Sequence, residues 1–224
     1  MGLENKAFLA AVQKFQDFLR MQKGAYTDAC AAYQSNHREI SIQVSKVLKT
    51  ARRKLDSKGV PSIVHTSVKD PTAPDVVVQT TRLSKEFLEA NSRNGSNEQQ
   101  ICQAIIIFVF TYWDYVTRHE LALSLGVEKN EIFLPIAGDL RLLRHAIIHD
   151  GGVLSGASHK RLEVLGEYFR PGQVVIFPHD RMHHIFRLLD RGVAKLTMET
   201  LDIPAPPGGI DSVNQIAIGQ PQKR

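Results

Sequence analysis

Residues 140–152 read LRLLRHAIIHDGG, and the way charged groups are threaded through these leucines and isoleucines decides how the segment folds. Each residue of an α-helix advances about 100° around the axis. On that spacing Ile136, Leu140, Leu143 and Ile147 gather on one side, which predicts a helix that buries this face. Arg141, His145 and His149 form a stripe on the opposite side, and Arg144 lies at the margin between the two. The helix is expected to start near Phe133 or Ala137 and to end at Asp150, where Gly151 and Gly152 stop it. A single histidine near a helix C-terminus is commonly a cap for free carbonyls. Two histidines beside two arginines along one exposed stripe are not accounted for by capping.

The rest of the chain also reads mainly as helix. Phe8, Leu9, Val12, Phe15, Leu19 and Met21 keep a near-helical period, which Ile40, Val44, Val47, Leu48 and Leu55 continue, so residues 3 to about 57 are expected to be helical. Gly24 and the QSNH stretch are places where that helix can bend or split. Lys46, Lys49, Arg52, Arg53, Lys54 and Lys58 make its far end basic, as a solvated face or as an RNA-backbone contact. Gly59 and Pro61 end this arm, and the proline-punctuated stretch that follows is extended. A short helix is expected within TTRLSKEFLEANS before the NGSN turn.

From Glu98 to about Leu125 the sequence predicts a strong central helix, apolar nearly all round between Ile101 and Phe110, with Gly126 as its cap. After the LRLLRHAIIHDGG helix, SHKRLEVLGEYF reads as a short helix and QVVIF as a short strand. The stretch beginning DRMHHIF reads as a last amphipathic helix. From Pro204 the composition is that of a disordered tail. The expected architecture is all-α in the main. It has a helical arm at 1–58, an extended connector with a short helix at 59–95, a helical domain at 96–203 and a tail at 204–224.

The bulk chemistry narrows the function classes. Of 224 residues, 28 are Lys or Arg and 23 Asp or Glu, a net charge of +5 that suits a polyanionic partner without requiring one. Cys30 and Cys102 have no CxxC spacing and read as two reduced, buried thiols of a cytoplasmic protein. The run AIIIFVFTYW is about half the length of a membrane span, so no membrane partner is expected. The N-terminus lacks the apolar core of a signal peptide, and Lys6 breaks the myristoylation pattern. HDRMHH, with His179 and His183 four apart, is similar to a zinc-protease box, but Asp180 stands where the catalytic Glu is needed. No metal and no other cofactor are therefore expected. No phosphate loop occurs, and Ser155 and Ser158 lack the setting of a nucleophile elbow.

Arg144, four intervening residues and His149, with the polar His145 directly after the arginine, resemble the signature of HEPN domains. The string GDLRLLRHAIIHDGG around them is similar to that of stand-alone bacterial HEPN proteins. Upstream, FTYWDYVTRHELALSLG, with Tyr112, Trp113, Asp114 and Arg118, is similar to the aromatic, acidic and basic segment on the preceding long helix of that family. The resemblance covers roughly residues 96–155. It implies a helical bundle and a metal-independent endoribonuclease acting on RNA as a homodimer, in toxin–antitoxin or phage-defence settings where an antitoxin or other protein partners it. On that reading His149 is a general base or acid, and His145 stands beside it in the site. Arg144 holds transition-state charge, while Arg141, Arg118 and Asp114 serve the substrate.

Arg144 and His149 lie about 140° apart on an ideal helix. They converge either through a relaxed last turn or because the site takes one residue from each subunit. Asp114 also has a plainer reading, as a partner for a nearby basic side chain. Two alternatives to the nuclease stand. One is a non-catalytic HEPN module that binds RNA or nucleotide, or serves as an accessory subunit. The other is a helical interaction protein whose long arm mediates assembly.

Overall fold

A computed structural model of the chain describes residues 3–52, 64–68, 72 and 78–204. The expected tail from 205 onward and the basic residues Arg53, Lys54 and Lys58 lie outside the described residues. What is described is mainly helical, as the periodicity predicts. No helix among the described residues is long and apolar enough to cross a membrane.

The first helix, α1 (Leu3–Arg52), runs without a break. The split expected at Gly24 or QSNH does not occur. A lone helical glycine costs only about 1 kcal/mol relative to alanine, and buried residues flank it at Leu19, Tyr26 and Cys30. From residue 31 to 50 no α1 side chain is fully buried, so the period carried by Ile40, Val44 and Val47 does not mark a core face.

By compactness the chain divides into two units, one of Met1–Gly24 with Gln103–Arg224 and the other of Ala25–Cys102. In the second unit, β1 (Val64–Val68) and β2 (Val78–Leu83) pair antiparallel, with a register irregularity at Ser67/Val68, and α2 (Ser84–Ala90) follows. This is the short helix expected there, but it starts later than expected, because the TTRL residues belong to β2. The interior of the unit holds the Tyr26 hydroxyl, which donates to Glu98 Oε1 at 3.1 Å, with Cys30 and Cys102 buried nearby as free thiols. Burial raises both thiol pKa values, that of Cys102 to about 12.

The first unit is built on α3 (Ser96–Tyr112), which spans the division between the units, α5 (Pro135–His149) and α7 (His179–Thr200). Its core takes Phe8, Val12, Phe15 and Leu19 from α1, and Ile105, Ile106, Val109 and Trp113 from the α3 segment. Phe108 is 58% exposed, so α3 is not apolar-packed all round as its composition suggested. The helix expected up to Leu125 is interrupted. Trp113–Thr117 form a π-helical turn before α4 (Arg118–Leu125), which Gly126 ends in the left-handed conformation at φ 65°. A π turn inserts one residue into the ladder and rotates everything after it.

The α7 face Met182, Ile185, Phe186, Leu189 and Val193 has helical spacing and is buried. Gly192 lets this helix come close to α5, since a Cβ there would stand 2.6 Å from Leu134 Cδ1. Between α5 and α7 the chain is irregular. SHKRLEVLGEYF forms only the one-turn α6 (Gly156–His159) and a 3-10 turn (Gly166–Tyr168), not a continuous helix. QVVIF forms no strand, only an isolated bridge between Val153 and Val174. The reason is a competing partner: the buried Asp139 carboxylate accepts from the backbone N–H groups of Glu163, Val164 and Leu165 at 2.7–2.9 Å. That draws residues 163–165 onto α5 and keeps them out of a helical ladder.

Candidate functional site

The predicted two-faced character of α5 is observed. Ile136, Leu140 and Leu143 are buried and Ile147 is half-buried, while Arg141, His145 and His149 are all exposed. The start needs no side-chain cap, because Pro135 occupies the first turn, where its missing N–H costs nothing. At the end, Gly151 and Gly152 adopt φ 61° and 83°, and the Gly152 N–H returns to the Ala146 carbonyl at 2.8 Å. Gly152 in turn accepts from the Val175 N–H at 2.8 Å, and the Leu154 N–H donates to Gln173 at 3.1 Å. The turn that carries His149 is thereby fixed to the following segment on two sides.

The imidazoles of His145 and His149 lie 4.9 Å apart between ring centroids, tilted by 42°. Asp150 Oδ2 stands 3.9 Å from His145 Nε2. Arg144 is half-buried and sets its guanidinium over the Phe110 ring, 5.9 Å from the centroid. Its Nε is buried with no hydrogen-bond partner among the described residues. The structure thus brings His145, His149 and Asp150 together, and holds Arg144 against a different neighbour.

The π turn builds a second group. Asp114 Oδ1 pairs with Arg118 at 3.2 Å and Oδ2 with Lys129 at 3.2 Å. Arg118 Nε donates to the Ile132 carbonyl at 2.9 Å, tying α4 to the segment that leads into α5. Asp114 is therefore a partner for two basic side chains. Asp114, Arg118 and Arg141 line one cavity of about 280 Å³, with Phe110, Phe133 and Gly138 among its other walls. Three of the six sequence-derived site residues share this cavity, while His149 lies on the last turn of α5 and His145 one turn before it. Lys129 and Phe133 were missed by sequence reading: one sits in a 3-10 turn and the other just ahead of a helix, where periodicity marks neither.

The HDRMHH histidines make separate contacts. His183 and His179 lie 3.0 Å apart between Nε2 atoms, one donating to the other, and His184 Nε2 is 3.0 Å from the Tyr168 hydroxyl. Burial, then the neighbouring His179, lowers the His183 pKa; burial, then Arg187, lowers that of His184. Comparison of the chain with protein-family models, with curated proteins and with solved structures finds no match.

Proposed function

We propose that the protein is a metal-independent endoribonuclease of HEPN type that works as a homodimer. The observation that carries this reading is the exposed imidazole pair His145 and His149 toward the fixed C-terminal end of α5, one helical face away from Arg144. RNA supplies its own nucleophile. The ribose 2′-oxygen attacks the adjacent phosphorus, and the bond from phosphorus to the 5′-oxygen breaks. The products are a 2′,3′-cyclic phosphate and a 5′-hydroxyl. One proton leaves the 2′-hydroxyl and one must reach the departing oxygen, tasks suited to an imidazole, whose ring nitrogens can accept or donate a proton. His149 takes one of these transfers and His145 stands in reach to assist the other. The Arg144 guanidinium stabilises the extra negative charge on the phosphorane oxygens.

The 140° separation on an ideal helix and the contact of Arg144 with Phe110 argue for a site completed by a second subunit. The resemblance of residues 96–155 to HEPN proteins supports the same assembly, with a toxin or phage-defence role and an antitoxin-like partner as its usual setting. The test is incubation with RNA in EDTA, scored for fragments ending in 2′,3′-cyclic phosphate. Wild-type protein is expected to cleave. His149→Ala is expected to lose about 100- to 10,000-fold in rate. Cleavage unchanged in both His149→Ala and Arg144→Ala rejects the assignment. A non-catalytic RNA- or nucleotide-binding module is favoured instead by the cations around the π-turn cavity, which can hold phosphate without chemistry. RNA binding that weakens steeply with salt, in the absence of cleavage, selects it.

A further inference from the structure

The cavity between the π turn and the first half of α5 takes no part in the proton transfers assigned above. Its volume, about 280 Å³, falls just below the roughly 300 Å³ at which pockets for drug-sized ligands begin. It has room for one ring system rather than a length of strand. Phe133, 55% exposed, offers an aromatic face at its edge. Gly138 leaves the α5 wall open, since a Cβ built there meets nothing within 4 Å.

The charges around the cavity are unequal. Arg118 and Arg141 line it together with a single carboxylate, Asp114, which engages Arg118 and, outside the lining, Lys129. Arg141, exposed on the α5 stripe, makes no ion pair among the described residues. A cavity with one aromatic edge and one uncommitted guanidinium matches a ligand that carries a flat ring and an anionic group. Aromatic side chains hold unpaired bases by stacking, and guanidinium groups hold phosphate.

We propose that this cavity is a subsite for a single ribonucleotide, its base against Phe133 and its phosphate at Arg141. The proposal rests on the RNA-cleaving reading and deepens it. The Phe110 ring that lines the cavity also carries the Arg144 guanidinium. The bound nucleotide therefore flanks the scissile phosphate, and the cavity gives cleavage its base preference.

Calorimetric titration of the full chain with AMP, GMP, CMP, UMP and inorganic phosphate tests this. At least one nucleotide is expected to bind more tightly than inorganic phosphate. Phe133→Ala is expected to weaken it about fivefold to a hundredfold, the usual worth of one base–aromatic stack. Gly138→Leu, which fills the cavity without a backbone clash, is expected to weaken it at least as much while keeping the wild-type circular dichroism spectrum. If either of these variants misfolds, Arg141→Ala at its exposed position gives the same reading for the phosphate. The proposal is overturned if no nucleotide binds, if phosphate binds as tightly as the best nucleotide, or if folded Gly138→Leu binds like wild type. A protein that cleaves RNA yet binds no mononucleotide keeps the nuclease and loses the subsite. One that binds a nucleotide in this cavity without cleaving RNA keeps the subsite and loses the nuclease.

Discussion

Arg144 rests its guanidinium over Phe110, 5.9 Å from the ring centroid, whereas His149, five residues along the same helix, faces the imidazole of His145 at 4.9 Å. One rigid element thus presents its two candidate catalytic groups to different neighbours. A relaxed last turn does not reconcile them. Asp150 and Gly152 both return their N–H groups to Ala146, at 3.1 and 2.8 Å, so the turn is closed. The proposed second subunit is one way for the pair to meet on one phosphate.

Asp139 is the strongest structural dependency of the site. Its carboxylate is 1% exposed and takes three backbone N–H groups from residues 163–165. Asp139→Ala leaves three backbone donors without their acceptor, that of buried Leu165 among them, and is expected to cost about 3 kcal/mol. Urea unfolding followed by circular dichroism measures it. A loss below about 1 kcal/mol would mean that the loop is held by its apolar contacts alone.

Asp114 tests the electrostatics of the cavity. Asp114→Asn removes the carboxylate that Arg118 and Lys129 share, so the net charge near the cavity rises by one. RNA binding at low salt is expected to tighten, and the slope of log K against log salt to steepen by about 0.7–0.9. Filter binding across a salt series reads the slope, and an unchanged slope places RNA elsewhere.

How much of this was legible beforehand follows from how local each cause is. The faces of α5 and α7 repeat every three to four residues, so spacing alone exposes them. The π turn at Trp113–Thr117 leaves no such mark, because one extra residue in a helical ladder changes the phase but not the composition. Asp114 at that turn meets both Arg118 and Lys129. QVVIF has strand composition yet makes a single bridge, to the short return after Gly152. Asp139 stood in plain view as an acid beside the aliphatic face of α5. Its partners are 24 to 26 residues away, a separation at which sequence gives no register.

His183 and His184 are expected to make the folded state less stable in mild acid. Both have folded pKa values below the ordinary histidine value, so the unfolded chain binds protons more readily. Their contribution is complete above the unfolded pKa, about 6.5, and is lost as pH falls through the lower folded values. The urea midpoint is expected to drop between about pH 7 and 5, and His183→Gln with His184→Gln to flatten that drop. A slope identical in the double variant removes these two histidines as its cause.

Cys30 and Cys102 are expected to resist alkylation in the folded protein, because burial raises both thiol pKa values. Iodoacetamide at neutral pH should label neither over the time in which it labels both in urea. Mass spectrometry counts the adducts, and rapid labelling of either thiol in native protein contradicts the burial described.

The central claim is that Arg144 of one subunit and His149 of the other act on the same RNA phosphate. Mixing the inactive Arg144→Ala and His149→Ala proteins, after unfolding and refolding together, tests it most directly. Half of the dimers formed are mixed and each has one intact composite site, so cleavage in EDTA is predicted to return to about a quarter of the wild-type rate. No recovery above the separate variants, with mixed dimers confirmed by mass spectrometry, would contradict it.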